Sequence, residues 1–284
     1  MYSLENDALK IVVNEDGAEL YEITDKNNRN YLWNGDKKFW GRRSPVLFPV
    51  VGSFRNKTYT YDGTNYSMSQ HGFARDSKFK LLSQTDSELW FSLTDNEQTL
   101  ENYPFHFELQ IGYRLIEAEI QVIWRVFNRD SKEMYYSLGA HPAFLCQMGD
   151  YISFHTDGPL TYHRIDEDGL YLPEEHAWNL TAQCEEITPD LFEEGVFIVE
   201  NNQASKVSLC DTNHNQYLTV HFDAPLFGIW APAKGAPFVC IEPWYGRCDA
   251  SDYNGDLTHR EWSNHIGPKE IFAASYSITI DSVQ

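Results

Sequence analysis

From Phe105 to Leu115 every second residue is apolar, and polar residues fill most of the gaps. Past Glu117-Ala118-Glu119 the same period resumes in Ile120, Val122, Trp124 and Val126. Two strands that bury one face and are joined by a tight turn produce this pattern, so an antiparallel hairpin is predicted here. Shorter alternations predict strands at Leu9 to Val13, Ala18 to Ile23, Ser87 to Leu93, Lys206 to Leu209, Tyr217 to Phe222, Phe227 to Trp230 and Tyr276 to Ile280. Thr58 to Tyr61 with Asp62-Gly63 reads as another hairpin. Phe238 to Glu242 is a strand expected to stop at Pro243, which has no N–H for a sheet ladder. Pro45 to Gly52 is apolar but broken by proline and glycine, and reads as a packed loop or pocket wall. Helical signals are few: one or two turns from Asn96 to Glu101, and a short helix over Pro268 to Ala273 with proline at its first position. Asp166 to Asp190 is acidic, weakly patterned and read as loop.

Strands dominate, no βαβ alternation is visible, and no linker or repeat divides the chain. The expected fold is all-β: one large antiparallel β-sandwich domain over residues 1–284, with few short helices. A barrel or a propeller would leave the same periodicity.

Composition narrows the function. A chain of 284 residues with 42% hydrophobic and 15% aromatic residues can bury a large core. Its formal charge of −20 repels phosphate backbones and anionic lipids, so neither nucleic acid nor a membrane surface is an expected partner. No apolar run approaches the roughly 18 residues of a membrane-spanning helix, and no basic-then-apolar leader opens the sequence. The five cysteines lack CxxC spacing and read as reduced thiols, which points to a cytoplasmic protein.

Three short stretches carry candidate chemistry. In Ile241-Glu242-Pro243-Trp244 a carboxylate stands among groups that solvate it poorly, which raises its pKa unless it is paired. Gln70-His71-Gly72-Phe73-Ala74-Arg75 and Gly139-Ala140-His141-Pro142-Ala143-Phe144 each set one histidine among small and aromatic residues. Each of the three residues, taken alone, also reads as structural. Together, two imidazoles and one carboxylate make an acid/base set. Arg55 and Arg75 are candidate ligands for sugar hydroxyls or for an anionic group. Phe144 and Trp244 offer flat faces of the kind that cover a sugar ring, while Trp230 reads as core. A two-histidine, one-carboxylate metal site from His71, His141 and Glu242 is not expected, because no HxH or HExxH spacing supports it.

The three stretches, in this order and at these intervals, resemble the aldose 1-epimerase (galactose mutarotase-like) superfamily, and most of all its LacX-like branch. The resemblance extends over nearly the whole chain, including Gly17-Ala18-Glu19-Leu20 and Pro45 to Arg55. It implies a galactose mutarotase-like β-sandwich that interconverts the α and β anomers of an aldose. By motif, His141 matches the general acid at the ring oxygen and Glu242 the general base at the anomeric hydroxyl. His71 matches the second histidine near the anomeric centre, and Arg55 or Arg75 the substrate-binding arginine. No cofactor or metal is implied. The partner is a small sugar, free or phosphorylated, since the HGFAR form is similar to the branch acting on hexose 6-phosphates. The protein is expected as a monomer or homodimer. One departure stands out: the family's substrate-binding aspartate has no clear match, and Leu191-Phe192-Glu193-Glu194-Gly195 offers glutamates instead. The competing functions are a non-catalytic sugar-binding or sensing protein on the same fold, and a glycosidase, which ordinarily needs a second carboxylate.

Overall fold

A computed structural model describes residues 1–156, 158–233 and 235–281. One layer is a nine-stranded antiparallel sheet. Across it run Cys184–Glu186, Tyr151–Ser153, Lys206–Cys210, Gln216–Phe222, Ile271–Thr279, Glu119–Asn128, Phe107–Ile116, Glu88–Thr94 and Lys80–Gln84. The predicted hairpin lies inside this sheet: Phe107 pairs with Asn128, Ile116 pairs with Glu119, and Glu117 turns the chain at φ 49°. Its apolar positions Phe107, Leu109, Ile111, Tyr113 and Leu115 are all buried, as the alternation requires.

The second layer is a six-stranded sheet that carries Glu242 and flanks His141. Its path is Phe197–Val199, Leu226–Trp230, Phe238–Tyr245, Leu138–Ala140 and Val46–Leu47, and Ala143–Leu145 pairs with Phe238–Tyr245 off that path. Tyr245 meets Trp124 and Phe272 of the large sheet, with ring centroids 6.4 and 5.2 Å apart, and Phe48 meets Phe107 at 5.2 Å. These contacts close a core between the layers. They also fix the faces of Phe238–Tyr245. Tyr245 looks at the large sheet, so by alternation Cys240, Glu242 and Trp244 look away from it.

Three local expectations are corrected. The strand does not stop at Pro243 but runs to Tyr245, with Pro243 opposite Phe227. On its other edge the strand pairs with Ala143–Leu145 up to Cys240 and with Leu138–Ala140 from Trp244 onward. Pro243 therefore sits where pairing is interrupted, a place that tolerates a residue without an N–H. Pro268 to Ala273 is not a helix. Lys269 at φ 67° makes a turn closed by Glu270 N–H on Gly267 O at 3.1 Å, and Ile271–Thr279 then joins the large sheet. Pairing of Ile271 and Phe272 with Phe127 and Val126 overrides the local helix signal. The Asp166 to Asp190 stretch holds one short strand, His176–Trp178, and a second, Cys184–Glu186. The predicted helical turns do form, over Glu97–Asn102, with Asn96 and Thr99 making a reciprocal cap.

Candidate active site

A single register line sets up the site. Leu138–Ala140 and Ala143–Leu145 both pair with Phe238–Tyr245, and the chain between them leaves the ladder. Counting on from Gly139 opposite Trp244, or back from Ala143 opposite Cys240, brings His141 opposite Glu242. On the far side Glu242 lies beside Gly228, and Gly228 beside Ile198. Ile198, Gly228, Glu242 and His141 thus form one row across the sheet, on the face turned away from the core. Gly228 contributes no side chain to this row, so the Trp244 indole can lie over it, and a hollow opens that is bordered by Ile198, Glu242 and His141.

The hollow is a cavity of about 200 Å³ whose walls include His71, Arg75, His141, Trp230, Glu242 and Trp244. His141 Nε2 lies 3.4 Å from Glu242 Oε2, and both side chains are almost entirely buried. Burial pushes the Glu242 carboxyl well above the ordinary carboxylate range; the nearby Trp244 indole opposes this without a hydrogen bond of good geometry. Burial, seconded by the Arg75 and Arg42 guanidiniums, lowers the His141 imidazole to about 3. Both shifts favour the uncharged forms. Together they press the pair toward an uncharged carboxyl facing an uncharged imidazole.

His71 is held differently. Its backbone takes φ 63°, a costly conformation for a non-glycine residue. Its N–H donates to Gly52 O at 2.7 Å, and Gly52 N–H donates in turn to His71 Nδ1 at 3.1 Å. Since Nδ1 accepts, the hydrogen-bond network assigns the ring proton to Nε2. Burial and the neighbouring His141 lower its pKa well below the ordinary imidazole value. His71 is thus held at Nδ1, with Nε2–H left as its donor.

Trp244 reaches the cavity because two glycines let it lie down. A Cβ on Gly139 would stand 2.7 Å from Trp244 Cδ1, and one on Gly228 would stand 2.6 Å from Cη2 and Cζ2. Arg75 donates from Nη2 to Gln70 O at 2.7 Å; burial brings its pKa down to about 10, so it stays charged near neutrality. Among the described residues seven buried side-chain polar atoms have no hydrogen-bond partner in the protein. Four of them, on Arg75, His141, Glu242 and Trp244, belong to residues of this one cavity wall. Buried polar atoms without partners are costly, and their concentration here marks a wall shaped for a polar ligand.

The remaining candidates lie elsewhere. Arg55 lines a separate polar cavity with Asp249, Tyr253 and Arg260, and its backbone N–H donates to Asp249 Oδ2 at 2.8 Å. Phe144 is wholly buried in the core. Glu193 and Glu194 are exposed, and Glu194 Oε2 is 3.7 Å from Arg164. Among the wall residues Glu242 is the one carboxylate. Trp230, expected in the core, instead borders the cavity and meets His141 edge-on at 5.4 Å. Trp40 and Ile165, which no motif signals, also line it. Val196 and Ile198 do so as well, Val196 just before the buried strand Phe197–Val199 and Ile198 within it; their spacing of two was the one available hint. As for metals, His141, Cys240 and Glu242 bring one ligand atom each within 4.8 Å of one another. A thiophilic ion held there would occupy the imidazole and carboxylate of the His141–Glu242 pair.

This chain belongs to the aldose 1-epimerase family, whose profile matches residues 1–251. Among solved structures it resembles a galactose mutarotase related enzyme from Lactobacillus acidophilus, at 32% identity and TM-score 0.93, over 100% of this chain and 98% of that one. A galactose mutarotase-like protein from Lactobacillus casei ATCC 334 is similar at 30% identity and TM-score 0.93, with 99% of each chain covered. The chromosomal protein LacX of Lactococcus lactis subsp. lactis is 28% identical, with 98% of each chain covered.

Proposed function

We propose that this protein is an isomerase that interconverts the α and β anomers of an aldohexose or closely related sugar. The observation that carries the proposal is the placement of His141 directly across from Glu242, at the floor of a cavity with aromatic walls. Mutarotation needs one proton removed at O1 and one delivered at the ring oxygen. Glu242 takes the O1 proton, the C1–O5 bond breaks with its electron pair going to O5, and His141 protonates O5. The open-chain aldehyde turns about C1–C2, and the same steps in reverse close the ring on the other face. The competent state, with Glu242 ionised and His141 protonated, holds the same number of protons as the uncharged pair. A transfer within the pair reaches it, without exchange with solvent. His71 Nε2–H donates a hydrogen bond near the anomeric centre, where negative charge develops on oxygen.

The cavity volume of about 200 Å³ lies below the ~300–1,000 Å³ of sites for larger ligands, which suits one monosaccharide. Trp230 and Trp244 supply flat apolar faces for the sugar, and Gln70, His71 and Arg75 supply polar contacts. Arg75, with Arg42 nearby, supports a phosphorylated sugar as an alternative to a neutral one. The free state of all five cysteines fits a cytoplasmic setting. Anomer-exchange NMR across free and 6-phosphorylated hexoses tests the reading. Exchange faster than in buffer for at least one sugar is expected; binding without exchange would make this a sugar-binding protein on the same fold.

A further inference from the structure

We infer that Trp40 is the positioning residue for His141, a role that rests on the acid/base reading above. An imidazole that moves protons at one nitrogen is ordinarily oriented by a hydrogen bond at the other. Nε2 of His141 faces Glu242, yet its buried Nδ1 has no hydrogen-bond partner in the protein. Ring contacts take over the orienting role. The Trp40 indole stacks on the imidazole, with centroids 4.7 Å apart and planes 27° from parallel. Trp230 and His71 meet the same ring edge-on, at 5.4 Å and 83°, and at 5.7 Å and 84°. The stacked indole fixes the plane of the ring and the two edges limit its slide.

Trp40 is itself anchored. Its carbonyl accepts a hydrogen bond from Trp33 Nε1 at 2.8 Å, and its own N–H donates to Asp36 O at 3.1 Å. Its ring rests against Trp230 at 5.6 Å and Phe238 at 6.0 Å. Phe238 opens the strand that carries Glu242, so the indole links the acid's plane to the base's strand. Stacking also acts electronically. A π face attracts a cation more than a neutral ring, so it favours His141 in the protonated form that catalysis requires. A hydrogen bond to a carboxylate would do both jobs elsewhere; here one indole does them with no added charge beside Glu242.

The test replaces Trp40 by leucine, by methionine, which refills the volume without a π face, and by phenylalanine, which keeps one. Two readouts are taken: anomer-exchange kinetics, and the ring-proton and ring-nitrogen NMR signals of His141, assigned by their loss in His141→Asn. Misplacing an acid/base group by about an ångström costs up to ~10²-fold in rate. Trp40→Leu and Trp40→Met are therefore expected to lower kcat by roughly 10- to 100-fold with a smaller change in KM. In both variants His141 should lose the ring-current displacement of its signals, and Trp40→Phe should restore rate and signals together. Two results overturn the inference: unchanged kcat in the leucine and methionine variants, or a KM increase alone with the His141 signals unmoved, which would make Trp40 a sugar platform. The NMR arm holds even if the wild type proves to bind sugar without turning it over. Loss of the mutarotase reading and loss of the positioning role are thus told apart.

Discussion

His141 stands across from Glu242 on one register line, with Nε2 and Oε2 3.4 Å apart, although neither belongs to a pair in the hydrogen-bonded ladder there. The gap between Leu138–Ala140 and Ala143–Leu145 makes this possible. A continuous strand would bind its neighbour's backbone at this point. The interrupted one instead turns an imidazole toward a carboxyl, while the flanking ladders hold both to the geometry of a sheet.

The pH dependence follows from the shared proton. His141 is lowered to about 3 and Glu242 is raised well above its ordinary value, so between those two limits the pair holds one proton. Below the lower limit His141 gains a second proton and Glu242 is no longer free to act as base. Above the upper limit the single proton is lost and no acid remains. His71, Arg75, Arg42 and Cys240 also bear on these groups. Turnover should thus show a plateau that falls at both ends, with the alkaline limb belonging to Glu242. Glu242→Gln should remove that limb from whatever rate remains; a wild-type alkaline limb that survives in this variant would assign it to another group.

The same shift has a consequence for stability. A carboxyl with a raised folded-state pKa binds protons that the unfolded chain has released, so its contribution is lost as pH rises above the unfolded value of about 4.3. Glutamine has no such penalty. Thermal unfolding followed by circular dichroism from pH 5 to 9 should show Glu242→Gln gaining Tm relative to wild type as pH increases. A difference that stays constant with pH would mean that Glu242 is not held in its acid form.

Gly139 and Gly228 flank the Trp244 indole at 2.7 and 2.6 Å from where a Cβ would stand. Gly139→Ala and Gly228→Ala should each displace the indole, at a cost of about 1–3 kcal/mol for the overpacked site. Sugar affinity should weaken more than in a control such as Gly158→Ala, whose added methyl meets nothing within 4 Å. Calorimetric titration with the active sugar checks this, and unchanged affinity in both variants would remove Trp244 from the binding wall.

The two arginines can be separated. Arg75 borders the cavity that holds His141 and Glu242, whereas Arg55 borders another. If a phosphorylated sugar binds, Arg75→Gln should abolish the advantage of the phosphate, and added salt should reduce that advantage in the wild type. Arg55→Gln should leave it unchanged. The reverse pattern, read by competition between free and 6-phosphorylated hexose, would place the anion at Arg55.

Much of the site was legible in the sequence because strand periodicity and three short motifs report on local structure. The alternation around Phe107 and Val126 gave the central hairpin directly, and His71, His141, Arg75, Glu242 and Trp244 all reach one cavity. What was not legible depends on contacts between distant segments. Trp40 meets His141 across about a hundred residues of chain, and no local pattern records that stacking. Arg55 and Arg75 looked equivalent because both are close in sequence to a motif, yet the turn after Ser53 sends Arg55 toward Asp249. Pro243 read as a strand end, since its missing N–H is a local fact while the ladder gap that accommodates it is a tertiary one.

The most direct test of the central claim is the anomer-exchange rate of Glu242→Gln, measured by NMR or polarimetry on the sugar that wild type turns over fastest. Glutamine keeps the shape of the side chain and removes its basicity. The account predicts a folded variant that still binds sugar and has lost roughly 10²- to 10⁴-fold in turnover, the usual contribution of a positioned acid/base group. A folded Glu242→Gln protein that exchanges anomers at close to the wild-type rate would contradict it.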